Sequence, residues 1–412
     1  MKIADKIDDK TDSAGFRTIA NRDPYAIRTL DAVRELAPKI CAARDEIEEG
    51  RRLPMHIVEE MQRAGVFRMA MPRAWGGSEL SILSQLRVIE ALSIADASAG
   101  WCAVIGTDGG YLTAYIDQAV GREMYTDVDA VTAITFAPPG KAVKTRDGFT
   151  VNGRWPFASG CQHASWFIGL FAIFDGDSPR LQPGGIPETR FGFIPAEECE
   201  IIDTWTTNGL RGSGSHDWTV KDRFIPEVRT LNLAAPILYR TGPLYTLPNL
   251  MLYKAPAIVL GIARGAIDDF VALATSKALT FKSASAGKAT LRDEAYAQSA
   301  LAQAEAMVSA ARGFVFEAIG DLWNTLLTGD FPSLKQRARG RLAMVHASIA
   351  CTQAVELLYK ASGGSSVYTG HALDRRLRDI QTANQHAVVS LKTWEVAGRV
   401  LLGLDPNYGL LF

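Results

Sequence analysis

The sequence predicts an α+β protein in three consecutive parts: an N-terminal α-helical domain, a central β-barrel or β-sandwich domain and a C-terminal four-helix bundle. Apolar residues recur every three or four positions up to about residue 125, which is typical of helices. Short β-forming runs separated by glycine and proline follow, and long apolar helical stripes return after about residue 245. We therefore expect a polar tail at 1–24, a helical domain at 25–128, a β domain at 129–235 and a bundle at 236–412.

The helical domain is predicted from an apolar stripe that starts near Ile27 and continues to Val66. The turn-forming stretch Pro72–Gly77 interrupts this stripe. Two further segments, 81–95 and 100–115, are rich in small residues, and we expect them to be buried helices.

Strands of the β domain are predicted where β-branched and aromatic residues form short runs. The first run spans Val131–Phe136, and Pro138–Gly140 after it predicts a turn. The remaining runs predict strands at 149–155, 165–174, 190–195 and 218–224.

The bundle is predicted from long helical segments joined by short connections. Its clearest apolar face runs from Ala300 to Leu326, and further helical blocks span about 333–361 and 378–402. Four such segments packed side by side would bury a continuous apolar core.

Composition excludes several classes of function. The 44 basic and 45 acidic residues leave a formal net charge of −1, so no nucleic-acid surface is indicated. The longest apolar run, 164–174, is shorter than the roughly 20 residues of a membrane span, and the N-terminus lacks a signal-peptide core. The five cysteines and six histidines are scattered without metal-binding spacing. We expect a cytoplasmic protein that holds no metal and binds neither nucleic acid nor membrane.

The segment Trp155–Trp166 combines two tryptophans, Phe157, small residues and the hydroxyl of Ser159 just before a β-forming run. Aromatic walls with few hydrogen-bonding groups suit a planar heteroaromatic cofactor. Taken alone, the same composition is equally compatible with the core of a β-sandwich.

A glycine-rich stretch, Gly209–Ser215, either offers N–H groups and hydroxyls to an anion or forms a tight connection between two strands. The chain has neither a GxGxxG motif nor a Walker motif, and its serines are out of frame for a nucleophile elbow. Nucleotide-binding α/β units and serine hydrolases are therefore not indicated.

A third cluster lies near the C-terminus. The loop Gly363–Ser366 leads through the basic stretch Arg375–Arg378 to His386, which we expect near the start of a helix. His386 is either a satisfied core residue or a group that gives or takes a proton near neutral pH. The arginines either hold anionic groups or form ion pairs with Asp374 and Asp379.

Together these motifs resemble the acyl-CoA dehydrogenase fold, and in particular its oxygenase branch. The segments Trp155–Gly160, Gly209–Ser215 and Arg378–His386 follow the order of that family's motifs, within the same succession of helical, β and bundle parts. The oxygenase branch consists of the reduced-flavin-dependent monooxygenases of two-component systems. The resemblance covers about residues 25–405.

The resemblance implies a mechanism and a set of site residues. A separate flavin reductase supplies diffusible reduced FMN or FAD, which reacts with O2 to give a C4a-hydroperoxyflavin that oxygenates a small aromatic or heteroaromatic substrate. Ser159 matches the family serine near flavin N5, and His386 matches the histidine that assists oxygen activation or acts as a base. The family also implies a homotetramer, with the flavin between the β domain and the bundle. The expected flavin-binding residues are Trp155, Phe157, Ala158, Ser159, Ser365, Ser366, Gln385 and His386.

The chain departs from the phenol-hydroxylating members of that family at one position. These members carry a second histidine where this sequence reads Trp101–Gly109, with Thr107 or Asp108 at the corresponding place. A carboxylate accepts a hydrogen bond from an N–H or O–H, or pairs with a cation. We therefore expect Asp108 to act in catalysis beside His386 and Ser159, on an indole-like or amine-bearing substrate rather than a simple phenol.

Two other functions remain alternatives. An acyl-CoA dehydrogenase of the same fold needs a glutamate base, and neither 381–389 nor 253–258 carries a carboxylate. A flavin-binding or assembly protein without catalysis would need neither Ser159 nor His386.

Overall fold

The computed structural model describes residues 23–182, 185–232, 235–278 and 290–407. Almost all of the predicted polar tail, residues 1–24, lies outside these ranges. Within them, helices, then a sheet, then longer helices follow one another along the chain. The predicted α+β fold class, with a helical part, a β part and a bundle, is confirmed.

From residue 23 onward, seven α-helices precede the sheet: α1 (Pro24–Ala42), α2 (Arg44–Gly50), α3 (Met55–Arg63), α4 (Ile82–Ala95), α5 (Ala97–Gly106), α6 (Asp108–Leu112) and α7 (Gln118–Met124). The Asp96 carboxylate caps α5, because it accepts the N–H groups of Ser98 and Ala99. The single helix predicted at 100–115 is wrong. The chain divides there into α5 and the short α6, and the two glycines 109 and 110 make a longer helix unfavourable.

The strands between the two helical parts belong to one sheet: β1 (Thr132–Lys144), β2 (Gly148–Ala158), β3 (Trp166–Asp175), β4 (Ser178–Pro179), β5 (Thr189–Pro195), β6 (Glu200–Ile202), β7 (His216–Pro226) and β8 (Thr230–Leu231). Their order is β6-β7-β2-β1-β3-β5-β8, with β4 beside β3. Strands β1 and β3 run parallel, and the other pairs are antiparallel. The turn predicted at Pro138–Gly140 is wrong, because β1 continues through it with a shift of register between Thr135 and Gly140. Proline interrupts the ladder there without reversing the chain.

Aromatic rings fill one core of the sheet. Trp155 stacks on Trp218 with ring centroids 4.2 Å apart, and both side chains are fully buried. Gly140 and Gly153 make room for the Trp155 ring, since a Cβ would lie 2.4 Å from it at the first position and 2.5 Å at the second. Of the two interpretations of Trp155, a core position in the β domain is therefore correct and the cofactor wall is wrong.

The C-terminal part contains α8 (Pro256–Ser276), α9 (Ala295–Leu327), α10 (Leu334–Ala361), α11 (Ala372–Ala383) and α12 (Lys392–Leu401). The single helix predicted at 378–402 is wrong, because a short 3-10 turn, Ala387–Val389, separates α11 from α12. His386 precedes that turn with an extended backbone, ψ 136°, instead of lying inside a helix. Gly261 lets α8 touch α4, since a Cβ there would lie 2.5 Å from the carbonyl oxygen of Glu90.

Helix α10 has the length and composition of a membrane span. Its most apolar 18-residue window has a mean hydropathy of 1.3, and among the described helices it alone meets this criterion. More than half of that window is buried inside the fold, where α10 packs chiefly against α9 and α8. These contacts are typical of a central bundle helix.

Candidate active site

Ser159 directly follows β2 and is 4% exposed. The indole N–H of Trp101, on α5, donates to its hydroxyl oxygen at 2.8 Å. The hydroxyl of Ser215 lies 2.7 Å from the same oxygen. The sheet and the N-terminal helices therefore meet at the Ser159 hydroxyl.

The glycine-rich stretch that contains Ser215 forms a tight connection into β7. Its hydroxyls bind protein atoms: Ser215 is 2.7 Å from Ser213, and Ser213 donates to the carbonyl of Leu210 at 2.7 Å. Gly214 has a φ of 52°, a conformation that glycine adopts without strain. Of the two interpretations of this stretch, the connection between strands is therefore favoured over the anion site.

The same connection is held against the bundle by the Arg378–Asp379 pair. The N–H of Leu210 donates to Oδ1 of Asp379 at 2.7 Å, and Arg378 donates to the carbonyl of Asn208 at 2.6 Å. Gly209 is required here, because a Cβ would lie 2.1 Å from the carbonyl oxygen of Arg378. The three motifs singled out in the sequence are thus joined by hydrogen bonds.

His386 lies against Trp101, with ring centroids 5.4 Å apart and ring planes at 76°. Its Nδ1 accepts the N–H of Val388 at 3.3 Å, which assigns the proton of the neutral ring to Nε2. The residue as a whole is exposed, whereas the protein atoms packed around the imidazole disfavour its charged form and lower its pKa to about 4. The imidazole is therefore neutral at pH 7. We refer to Ser159, Trp101 and His386 as the active-site cluster.

Phe157 lies two residues before Ser159 and is 66% exposed. Its φ of 64° is unusual for an aromatic residue, and its ring meets the edge of Trp205 at a centroid distance of 6.3 Å. An exposed aromatic face beside a nearly buried hydroxyl suits a planar ligand.

The two other β2 residues predicted to bind the flavin are in the wrong place. Trp155 and Ala158 have no exposed surface and belong to the core of the sheet. They point inward because a strand directs alternate side chains to its two faces, with a register shift before Ala158. Their side chains are therefore not free to contact a ligand.

Three further predicted flavin-binding residues lie in the C-terminal part. Ser366 is buried, and its hydroxyl donates to the carbonyls of Tyr359 and Gly363, while Ser365 is half-buried and Gln385 is exposed. Among the described residues, no hydrogen bond links the two serines to the active-site cluster. Their contribution to flavin binding stays a prediction.

Asp108 is buried and forms an ion pair with Lys254, in the short 3-10 segment before α8. The Lys254 ammonium donates to Oδ1 of Asp108 at 2.8 Å, to the Thr107 hydroxyl at 2.6 Å and to the Val104 carbonyl at 2.9 Å. Burial raises the pKa of Asp108 and lowers that of Lys254, and the opposite charge of each partner counteracts the shift. The sequence analysis allowed Asp108 to pair with a cation, and that cation is Lys254 of the same chain.

The arginines before His386 form ion pairs with protein carboxylates. Arg375 pairs with α2 and Arg376 with α8, whereas the pair of Arg378 with Asp374 lies within α11. The predicted alternative, an anion-binding role, is left without support. The pairs are Arg375 with Asp45 at 2.6 Å, Arg376 with Asp269 at 2.9 Å, and Arg378 with Asp374 at 2.7 Å.

Sequence reasoning missed Trp101, Ser213, Ser215 and Lys254 as members of the site. A lone tryptophan among the small residues of 97–106 is the signal that could have found Trp101. The serines of the glycine-rich stretch were noted, but their partner at position 159 is far away in the sequence. Lys254 gave no signal, because a lysine beside an apolar helix usually lies at the surface.

Two family models match the chain. "Acyl-CoA dehydrogenase, N-terminal domain" matches residues 26–123, and "Acyl-CoA dehydrogenase, C-terminal domain" matches residues 254–391. The two segments together cover more than half of the chain and leave the sheet between them.

Curated relatives and solved structures match nearly the whole chain. An indole-3-acetate monooxygenase of Acinetobacter baumannii is 31% identical over 93% of this chain and 95% of its own. The oxygenase subunit HsaA of a flavin-dependent monooxygenase of Rhodococcus jostii is 30% identical over 88% of this chain and 94% of its own. The structure of XiaF from Streptomyces, in complex with FADH2 and glycerol, has a TM-score of 0.83 at 25% identity and covers 93% of this chain and 97% of its own.

Proposed function

Because the chain belongs to the acyl-CoA dehydrogenase family and, within it, to the flavin-dependent monooxygenases that serve as oxygenase components, we propose that its reduced flavin binds at the active-site cluster. The protein uses reduced flavin and O2. The observation that carries the assignment is the contact of both Ser159 and His386 with Trp101. The two groups that the resemblance assigns to the flavin come from distant parts of the chain and meet on one indole.

The residues at the cluster fit a flavin. Phe157 offers an exposed aromatic face, Ser159 a hydroxyl oxygen and His386 an N–H group. Reduced flavin, when bound, supplies the electrons that activate O2. The protein contributes an aromatic face and a few hydrogen-bonding groups at fixed positions.

Of the two roles considered for His386, the geometry supports a hydrogen-bond donor better than a base. Nδ1 is occupied by the N–H of Val388, so Nε2 carries the proton of the neutral ring. The lowered pKa keeps the ring uncharged at pH 7. His386 would therefore donate a hydrogen bond to an oxygen atom bound at the active-site cluster.

We place the aromatic substrate along the face of α5 that carries Trp101 and Ile105. These two residues are half-buried, whereas the rest of 97–106 is buried. Asp108 begins α6, just beyond the C-terminal end of α5, and is 3% exposed. Its Oδ2 accepts no hydrogen bond from the described residues, so it can accept one from a substrate N–H or O–H. An indole-like or amine-bearing substrate fits this arrangement, and the activity named for the Acinetobacter relative supports it.

The partners and the assembly follow from the same family. The relative named as an oxygenase subunit supports a separate flavin reductase as the partner that delivers reduced FMN or FAD. We propose a homotetramer, and large exposed apolar side chains such as Tyr368, Leu391 and Leu402 in the C-terminal part are candidates for its contacts. We also propose a cytoplasmic location, in keeping with five free cysteines.

The test combines the protein with a generic flavin reductase, O2 and two probes, indole-3-acetate and p-hydroxyphenylacetate. We expect a product with one added oxygen atom, formed faster from the indole probe. An acyl-CoA that reduces protein-bound oxidised flavin would contradict the proposal and indicate a dehydrogenase. A protein that binds flavin but neither oxygenates a probe nor oxidises an acyl-CoA would indicate the non-catalytic alternative.

A further inference from the structure

Three serine hydroxyls form a continuous chain next to the active-site cluster. A hydroxyl has one proton to donate and two lone pairs that accept. Ser213 donates its proton to the carbonyl of Leu210 at 2.7 Å, and a carbonyl oxygen can only accept. The direction of this first hydrogen bond is therefore determined.

The remaining directions follow one after another. Ser213 has no proton left, so Ser215, 2.7 Å away, must donate to it. Ser215 then has no proton left either, so Ser159, at 2.7 Å, must donate to Ser215. The indole of Trp101 can only donate, and it occupies one lone pair of Ser159 at 2.8 Å. Ser159 thus keeps one free lone pair and no free proton.

The far end of the chain is fixed by the bundle. The N–H of Leu210 donates to Asp379, and Gly209 lies against the backbone of Arg378, so the Leu210 carbonyl cannot readily turn away from Ser213. Ser213 and Ser215 are at most 3% exposed, so bulk water does not replace their partners in the chain. The orientation of the Ser159 hydroxyl is therefore held from a distance.

We infer that this hydroxyl chain makes the site selective for reduced over oxidised flavin, with Ser213 and Ser215 as positioning residues. Reduced flavin carries an N–H at N5, which the free lone pair of Ser159 can accept. Oxidised flavin has a lone pair at N5 instead. That lone pair would face the free lone pair of Ser159, and two acceptors form no hydrogen bond. The inference rests on the proposed function, because it takes flavin as the ligand of the active-site cluster.

The test is the affinity of the whole protein for each redox state of FMN and FAD, measured by anaerobic titration. In Ser215→Ala, the proton of Ser159 loses its acceptor and can turn to N5 of oxidised flavin. In Ser213→Ala, Ser215 has lost its acceptor and can donate to Ser159 instead. The proton of Ser159 is then free to turn to N5 of oxidised flavin. We expect the ratio of the Kd for oxidised flavin to the Kd for reduced flavin to fall about tenfold in both variants. Equivalently, the midpoint potential of the bound flavin falls by about 30 mV, the tenfold equivalent for a two-electron couple.

Two further variants separate this effect from general damage. Ser93→Ala removes a buried hydroxyl that donates to the Ile89 carbonyl of its own helix, and it should leave the ratio unchanged. Ser159→Ala should weaken the binding of reduced flavin without strengthening that of oxidised flavin. Unfolding midpoints of all variants show whether each is folded.

An unchanged ratio in folded Ser213→Ala and Ser215→Ala, with reduced flavin still bound, would overturn the inference and leave the proposed function intact. A wild-type protein that binds neither form of FMN or FAD would instead overturn the proposed function. A fall of the ratio in Ser93→Ala as large as in the two chain variants would also overturn the inference.

Discussion

Ser159 and Phe157 show how a few residues combine strain, exposure and hydrogen bonding at one place. The positive φ of Phe157 costs about 1 to 2 kcal/mol for a residue with a Cβ, and its ring is largely exposed. Backbone strain of this kind persists where the surrounding structure holds it, often at ligand sites. Two residues later, the Ser159 hydroxyl is almost buried and bonded on two sides.

Replacing Ser159 by alanine should uncouple oxygen consumption from substrate oxygenation. The variant loses the hydroxyl predicted to face flavin N5, so more of the consumed O2 should appear as hydrogen peroxide. A lost hydrogen bond of about 1 kcal/mol corresponds to roughly a fivefold effect on this partition. The measurement is the yield of hydrogen peroxide and product per O2, with Ser93→Ala as the control. Unchanged coupling would remove the role assigned to Ser159.

Replacing His386 by asparagine should remove the Nε2 proton donor but keep the local fold. An asparagine oxygen can accept the N–H of Val388 in place of Nδ1. We expect the oxygenation rate to fall by about 10², with the Kd of reduced flavin changed only a few-fold. In the wild type, the pKa of about 4 predicts no loss of rate from this group between pH 7 and about 5. A change of the oxygenation rate with a midpoint near pH 6.5 in the wild type that is absent from His386→Asn would contradict the role of a neutral hydrogen-bond donor.

Removing Asp108 alone should destabilise the protein. Asp108→Ala leaves the Lys254 ammonium without its counter-charge in a fully buried position, which typically costs about 3 to 5 kcal/mol. A double variant, Asp108→Leu with Lys254→Met, removes both charges and should recover most of that loss. Urea unfolding measures both free energies.

The double variant also separates stability from a role in the reaction. If Asp108 accepts a hydrogen bond from the substrate, the folded double variant should have a raised KM for indole-3-acetate and an unchanged Kd for reduced flavin. An unchanged KM would leave Asp108 a purely structural residue.

At the scale of elements, the site depends on how the ends of β2, α5 and α11 are held together. Hydrogen bonds bridge them. The indole N–H of Trp101 donates to Ser159, the three serines lead from there to the carbonyl of Leu210, and the N–H of Leu210 donates to Asp379. None of these elements carries the site alone. The contacts across them explain why residues far apart in the sequence meet at the active-site cluster.

Asp379 makes the free energy of unfolding depend on pH. Burial, together with the nearby Asp96 carboxylate, raises the pKa of Asp379 to about 7, although the Leu210 N–H, Arg376 and Arg378 oppose the shift. A carboxyl with a raised pKa is protonated more readily in the folded than in the unfolded chain. Its contribution to stability is therefore present below about pH 4 and is lost as the pH rises through 7.

Asp379→Asn should remove that loss, because asparagine is uncharged and its oxygen can still accept the N–H of Leu210. Relative to the wild type, we expect the variant to gain about 2 to 3 kcal/mol of unfolding free energy between pH 5 and pH 8. Urea unfolding at pH 5 and at pH 8 measures this gain in free energy. Asp177→Asn, at an exposed position, is the control. A difference between wild type and variant that is equal at both pH values would contradict the raised pKa.

Local pattern predicted the elements well and their ends less well. Periodicity identified the helices and most strands, but a helix was expected across His386 and a turn at Pro138–Gly140. The first error arose because the sequence does not show that the His386 side chain caps a turn. The second arose because proline and glycine also occur where a paired strand is irregular.

The candidate site was predicted in part, for a physical reason. Ser159 and His386 were identified by motif, and the structure brings both to Trp101. Trp155 was misassigned, because composition alone does not tell which face of a strand an aromatic residue occupies. The serine chain and the partner of Asp108 depend on contacts across more than 50 residues of sequence, which no local pattern contains.

At the scale of the whole molecule, the helical part, the sheet and the bundle each contribute one side of the site. Trp101 comes from the first, Ser159 from the second and His386 from the last. The glycines that allow close approach, Gly209 against α11 and Gly261 against α4, lie at the boundaries between these parts. The active-site cluster is thus a product of the complete fold.

We propose that this chain transfers one atom of O2 to an aromatic substrate by means of reduced flavin bound at the active-site cluster. The most direct measurement is a single turnover under 18O2, with stoichiometric reduced FMN or FAD and indole-3-acetate. We expect one 18O atom in the product of the wild type and a much lower yield of labelled product from Ser159→Ala and His386→Asn. Labelled product in equal yield from all three proteins, or wild-type product without label, would contradict the account.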